Sequence, residues 1–287
     1  MHGDDGSSVH APENNDKAVE NMELDFISGD ILFEVRDHVA YIILNKPEQL
    51  NPVTVEVMQD MITCLNICEQ NPDIRAVVIR GAGGNFTAGG NVKGMKERLD
   101  KGINTTKKGI RIGGEFIMRL KTISKPTIAW IEGAVAGAGM SIAMACDFSI
   151  ADEAAKMVFA FVNIGFIPDG GAAYLLCQTV GPTKATELLM SGQRFTGAQA
   201  AEWGIITKAV PKEALEETVQ KYINQYSKGP SVAYGQLKAM INNISYRELN
   251  ACMQMEVNAQ YICSLSEDHY NAVTAFVEKR KPEFLGR

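Results

Sequence analysis

Three glycine-rich segments could do chemistry through their backbone: Gly81-Ala82-Gly83-Gly84-Asn85-Phe86, the run Gly133 to Gly139, and the run Gly165 to Gly171. Each follows an apolar stretch of strand type and precedes a helical pattern, so phosphate binding is the first chemistry to test. The first lacks the Gly-Lys-Ser/Thr ending of a nucleotide loop, and Gly137-Ala138-Gly139-Met140-Ser141-Ile142 lacks the third small residue of a dinucleotide fingerprint. Gly139-Met140-Ser141-Ile142-Ala143 approaches a nucleophile elbow, but Ala143 closes it and only His38 or His269 could serve as base. Ser141 reads equally well as a small polar residue near a helix N-terminus. Glycine loops entering helices do another job well. They present N–H groups at the positive end of a helix dipole, which suits a developing oxyanion. Two such loops aimed at one point would form a two-donor hole for a polarised thioester carbonyl.

Other reactive groups offer little. Cys64 and Cys68 are four residues apart on a helical pattern with no second Cys or His pair nearby, so the cysteines read as free core thiols and no metal site is expected. The net charge of −6, from 28 basic and 34 acidic residues, argues against a nucleic-acid-coating protein. Residues 1–24 carry six carboxylates against Lys17 alone, which leaves the remainder nearly neutral. No uncharged stretch exceeds the 14 residues from Gly133 to Cys146, short of the roughly 20 that span a bilayer. The acidic N-terminus is unlike a leader, so a cytoplasmic location without membrane contact is expected.

The elements that must position these loops are legible in outline. Residues 1–24 lack apolar periodicity and read as a disordered tail. Alternation either side of Arg36-Asp37-His38 predicts a hairpin, and Val57, Met61, Leu65 and Cys68 predict a helix closed by Pro72. Ala76–Ile79 and Thr127–Ile131 read as buried strands, and Phe148–Ile150 with Met157–Phe161 as a strand pair. Helical patterns dominate from Thr183, interrupted by an extended Trp203-Gly204-Ile205, and residues 212–287 read as helix throughout. The class is α/β, followed by a helical cap.

Seven segments then carry a resemblance in register. They are Asn45–Asn51, Phe86–Lys93, Lys125–Ala129, Gly133–Gly139, Cys146-Asp147, Gly165–Gly171 and Ala275–Arg280. From about residue 30 onward the chain resembles the enoyl-CoA hydratase/isomerase (crotonase) superfamily. The resemblance implies a ββα-spiral core over 25–222, a helical trimerisation segment over 223–287, assembly as a trimer or dimer of trimers, and an acyl-CoA substrate with no separate cofactor. It further implies an oxyanion hole from the N–H groups of Gly90 and Ala138. Leu50, Ala88, Gly89, Asn91, Val92 and Lys93 would cradle the CoA, with Gly137, Phe161, Phe276 and Lys279 as further substrate contacts. Lys96, Arg280 and Lys281 join Lys93 and Lys279 as candidate partners of the CoA phosphates.

Departures from the family pattern narrow the chemistry. Hydratases of the family use two glutamates, one as base and one as acid; here Ser141 and Phe161 stand at those positions. Asp169 remains, in Ile167-Pro168-Asp169-Gly170-Gly171. It reads either as an N-cap or, by resemblance to ring-isomerising and dienoyl-CoA isomerases, as an acid/base. An apolar wall at Phe161 would raise its pKa, and the missing carboxylate would lower it. One carboxylate suffices to shuttle a proton between two carbons, so a double-bond isomerase is the expectation. The alternatives are a hydratase placing water through Ser141 and Asp169, an aryl-CoA dehalogenase, and a catalytically silent acyl-CoA binder. Phe86, Phe159, Phe161 and Phe166 either shape a bulky acyl site or belong to the core.

Overall fold

The structure, a computed structural model, describes residues 24–287; the expectation of a disordered tail over 1–24 falls outside them save for Leu24. Strands β1 (Ile31–Arg36) and β2 (Val39–Leu44) form the expected hairpin. Its two-residue turn places Asp37 and His38 at φ 49° and 65°, the left-handed pair that matches strand twist. Helix α1 (Val55–Gln70) starts at Thr54, whose hydroxyl accepts Val57 N–H, and buries Val57, Met61, Cys64, Leu65 and Cys68. Strand β3 (Ala76–Gly81) lies parallel to β2. Helices α2 (Val92–Asp100) and α3 (Lys107–Thr122) follow, capped by the side chains of Asn91 and Thr106. After β4 (Thr127–Ile131) come β5 (Ala134–Ala136), α4 (Ala138–Ala145), β6 (Phe148–Asp152) and β7 (Lys156–Val158).

A 3-10 turn, Ala160–Ile164, leads to α5 (Ala172–Ser191), which kinks at Gly181-Pro182. Then follow β8 (Arg194–Thr196), α6 (Gly197–Glu202), β9 (Lys208–Val210) and the closing helices α7 (Lys212–Ser227), α8 (Ser231–Ser245), α9 (Leu249–Ser264) and α10 (Glu267–Val277). The main sheet runs β1-β2-β3-β4-β6-β9, parallel beyond the hairpin, and a second sheet runs β5-β7-β8. The main sheet is covered on both faces, which explains its continuous apolar strands. Val77, Ile79, Ala129 and Ile131 face the large core with α1 and α3. Val39, Tyr41, Ala76, Val78, Ile128 and Ile150 face Leu215, Val219 and Ile223 of α7. Each such aliphatic side chain stabilises the sheet by about 1.5–3 kcal/mol when fully buried.

Three expectations need correction. Phe148–Ile150 and Met157–Phe161 do not pair: β6 lies in the main sheet, and β7 pairs with β5 and β8. The strand also stops at Val158, and Phe161 sits in the 3-10 turn, closed by Gly165 at φ 68°. Trp203-Gly204-Ile205 is a turn, because Gly204 adopts φ 76°, and the extended piece is β9. The helical pattern ends at Val277, ten residues before the terminus. Helix α7 packs its whole apolar stripe on the sheet. Helix α8 is fastened to the core by Lys238, buried, whose Nζ donates to Asp147 Oδ2 at 2.7 Å and to Lys125 O at 3.2 Å.

Candidate active site

The loops after β3 and β5 meet through Thr87. Its N–H donates to Ala134 O at 3.1 Å and its carbonyl accepts Ala136 N–H at 3.0 Å, so it acts as a one-residue bridge beside β5. Its hydroxyl donates to Asn51 O at 2.5 Å and accepts Gly89 N–H at 2.9 Å. Asn51, almost fully buried, donates from Nδ2 to Ala82 O at 2.9 Å and Asn85 O at 2.8 Å. Gly89 must be glycine: at φ 85°, a Cβ would lie 2.5 Å from Ala136 O and 3.5 Å from Ala138 N. That close approach brings the Gly89-Gly90 peptide against the first residue of α4. Among the described residues, neither Gly90 N–H nor Ala138 N–H donates to a protein acceptor. For Ala138 the reason is its place in the first turn of a helix. Two unengaged N–H groups thus belong to neighbouring segments, that of Ala138 at the positive end of the α4 dipole.

Next to them opens a cavity of about 40 Å³, walled by Met58, Ile110, Phe116, Ile117 and Ile142 with Ala138. Its side-chain polar groups are those of Ser141 and Asp169. Ser141 is buried, and its hydroxyl donates to the main-chain carbonyl of Asp169 at 2.9 Å. Asp169 does not cap α5: the N-cap is Gly171, at φ 72°, and no side-chain cap bond is made there. The Asp169 carboxylate instead accepts Gln260 Nε2 at 3.3 Å. Burial against apolar walls pushes this carboxyl up to about 6, a rise that the Gln260 hydrogen bond moderates.

The other expected contacts are dispersed. Leu50 is exposed at φ 60°, and its carbonyl accepts Ala88 N–H at 2.9 Å. Asn91 spends its side chain capping Gly94 N–H at 2.9 Å, with Val92 and the exposed Lys93 beginning α2. The Phe161 ring packs over Gly137, outside the cavity lining. Phe86 and Phe159 are core residues, and Phe166 stacks on His269 with ring centres 3.8 Å apart. Phe276 and Lys279 stand exposed at the end of α10, and neither lines the cavity. Lys96 pairs with Asp100 and Arg280 with Glu278, while Lys93, Lys279 and Lys281 make no ion pair among the described residues.

The two histidines among the described residues are engaged elsewhere. His38 Nδ1 meets Asp73 O in the hairpin turn, and His269 Nδ1 meets Ile164 O at 2.7 Å. Burial holds the His269 ring below its usual pKa. Cys64 and Cys68 are buried, and burial pushes the Cys68 thiol up to about 12. Among the described residues no three His, Cys, Asp or Glu side chains cluster as metal ligands, and no helix is long and apolar enough to cross a membrane.

Sequence reasoning missed Phe116, Gln260 and Glu256. Phe116 belongs to α3, where it is one apolar residue of an amphipathic pattern, and the Gly113-Gly114 pair before it lies inside the helix and does not open one. Gln260 and Glu256 are single polar residues of an otherwise amphipathic helix, and nothing local marks them as facing the core.

The family model described as enoyl-CoA hydratase/isomerase matches residues 34–287. The chain is 30% identical over 259 residues to trans-2-decenoyl-[acyl-carrier-protein] isomerase of Streptococcus mutans, covering 90% of this chain and 98% of that protein. It is 33% identical over 262 residues to 1,2-epoxyphenylacetyl-CoA isomerase of Escherichia coli, with 90% and 98% covered. The crystal structure of an enoyl-CoA hydratase from Mycobacterium avium subsp. paratuberculosis superposes with a TM-score of 0.82 at 30% identity, covering 89% of this chain and 98% of that one.

Proposed function

The chain belongs to the enoyl-CoA hydratase/isomerase family and is a crotonase-type acyl-CoA enzyme; from that premise we propose that it shifts a double bond within an enoyl thioester. The observation that carries this reading is the single carboxylate in the cavity wall: Asp169 lines it, and no second acid or base does. The thioester carbonyl would accept the N–H groups of Gly90 and Ala138. Asp169, ionised, would take a proton from the α-carbon of a 3-enoyl thioester. The electron pair passes into a dienolate whose oxygen the two N–H groups stabilise. The same carboxyl would return the proton at the γ-carbon, leaving a 2-enoyl product; the reverse direction uses the same steps. No water is consumed and no second acid is needed.

A carboxyl with pKa about 6 suits that work, because it is mostly ionised near neutral pH yet more basic than an ordinary aspartate. Hydration is less well supported. Ser141, which would have to hold the water, already donates its one hydroxyl proton to the Asp169 carbonyl. Dehalogenation would want a partner histidine, and His269 is committed to Ile164 and Phe166. Relatives at about 30% identity are named both as isomerases and as hydratases, so the reading rests on the site and not on those names. Assembly as a trimer or dimer of trimers is supported by exposed apolar side chains on α8 and α9, including Val232, Met240, Ile244, Met255 and Ile262. The reading is tested by incubating the protein with 2-enoyl, 3-enoyl and aryl CoA thioesters in deuterated water. A moved double bond without gain of water is expected, with deuterium at the α or γ carbon to the extent that the Asp169 carboxyl exchanges with solvent before it returns its proton. A hydrated product would overturn the isomerase, and tight binding with neither change would make the protein a silent binder.

A further inference from the structure

The turn that carries Asp169 is held from behind by two buried side chains of α9. Gln260, 1% exposed, accepts Ile167 N–H on Oε1 at 3.1 Å and donates from Nε2 to Asp169 Oδ2 at 3.3 Å. Glu256, one helical turn earlier and 5% exposed, accepts Gly171 N–H on Oε2 at 3.0 Å. The N–H groups two residues before and two residues after Asp169 are therefore both anchored on one face of α9. The chemistry of Gln260 suits its place. A primary amide can accept from a main-chain N–H and donate to a carboxylate at once. Because Ile167 N–H requires an acceptor, Oε1 faces Ile167 and the NH₂ faces Asp169.

We propose, building on the proton-shuttle reading, that Gln260 is the positioning residue of Asp169: its amide fixes the direction of the carboxylate and stabilises its ionised form. Beyond the N–H of Asp169 itself, the surroundings leave this task to Gln260. From α9, Glu256 is the titratable neighbour of Asp169, and burial holds its carboxyl up at about 8, so it is neutral while Asp169 ionises. Cys252 lies behind Glu256, its Sγ 4.0 Å from Oε1. From α10, His269 backs the turn through Phe166, and burial lowers its pKa. Helix α3 presents Gly109, Ile110, Gly113, Phe116 and Ile117 to the cavity, and α4 presents Ala138, Ser141 and Ile142, none of them charged. Among the described residues, the Gln260 amide is the one side-chain donor on the Asp169 carboxylate.

The test reads Asp169 itself. In the full-length protein with ¹³C-labelled aspartate, the Asp169 carboxyl resonance is identified by its loss in Asp169→Asn and titrated. Gln260→Met withdraws both bonds at similar volume. Gln260→Asn, one methylene shorter, withdraws the reach to Asp169 more gently should the first variant fold poorly. The expected result is an upward move of the Asp169 midpoint by about one pH unit in the folded variant, the scale of one lost hydrogen bond to a charged group. The ascending limb of the pH profile of kcat/KM should move with it, with KM little changed. An unmoved midpoint in a folded variant overturns the proposal and reduces Gln260 to a brace for Ile167. A midpoint that moves while the kinetic limb stays still supports Gln260 as the positioning residue, but overturns the assignment of Asp169 as proton shuttle.

Discussion

Ser141 and Asp169 meet through the main chain, not through their side chains: the serine hydroxyl ends on the aspartate carbonyl, 2.9 Å away. The contact holds the carbonyl of the catalytic candidate while leaving its carboxylate to the cavity. Ser141→Ala should therefore cost about 1 kcal/mol of stability, the net worth of one such bond, and less than a tenfold loss in kcat/KM. Chemical denaturation and steady-state kinetics measure the two. A loss beyond a hundredfold with an unchanged fold would instead mean that the hydroxyl places a water.

Asp169→Asn keeps the shape and can still receive Gln260, but cannot take a proton. Isomerisation should fall by about 10²–10⁴, the usual contribution of a positioned base, with thioester affinity within a few fold of the parent. Calorimetric titration with a saturated acyl-CoA alongside turnover separates the two effects. Normal turnover would remove Asp169 from the mechanism.

Two buried carboxyls make stability fall as pH rises. Asp169 and Glu256 are raised to about 6 and about 8 in the folded protein, so between the unfolded and folded values the native state binds more protons than the unfolded chain. Their contribution is complete below about pH 4, where both states are protonated, and is lost progressively up to about pH 8. Glu256→Gln should flatten this slope and give a protein less pH-sensitive between 5 and 8, read as the urea midpoint at each pH. A slope as steep as the parent's would mean that Glu256 is ionised in the native state.

The proposed two-donor hole would depend on the close packing of Gly89. Gly89→Ala places a methyl 2.5 Å from Ala136 O at a φ of 85°, so the loop must shift. A cost of about 1–3 kcal/mol is expected, together with a fall in kcat/KM. Ala138→Gly should be nearly silent in activity, since Ala138 would act through its N–H. If Ala138→Gly proves as damaging as Gly89→Ala, the hole lies elsewhere.

The exposed apolar side chains of α8 give a test of assembly. Ile244→Asp, at a site 77% exposed in the single chain, should leave the fold intact and lower the mass seen by light scattering from a multimer to a single chain. A parent protein that is already monomeric would dismiss the trimer.

Much of this was legible in the sequence because local patterns carried it. Ala76–Ile79 is apolar on both faces and could only be a buried strand, and Asp37-His38 between alternating runs could only be a tight turn. Gly89, Gly90 and Ala138 are singled out by the resemblance of their loops to the family pattern. Asp169 was visible as a residue but not as an environment. Its sequence position allows an acid/base or a cap, and Gly171 takes the cap with a positive φ. The strand expected at Trp203–Ile205 was displaced to β9 because the glycine between them turned the chain. Gln260 left no local mark at all: it lies 91 residues from Asp169 in sequence, and only the packing of α9 reveals it.

That separation has a consequence in time. The contacts of Gln260 and Glu256 with the Ile167–Gly171 turn close loops of 93, 91 and 85 residues, and contacts across such spans come late when a chain folds. The hairpin, β3 and the Thr87 bridge close far shorter loops and need none of α9. A refolding chain should accordingly bury most of its core before its carboxylate is set, and activity should return after the Trp130 and Trp203 fluorescence has settled. On the proton-shuttle reading, α9 would thus time the site as well as buttress it, with chemical competence arriving only when that helix docks.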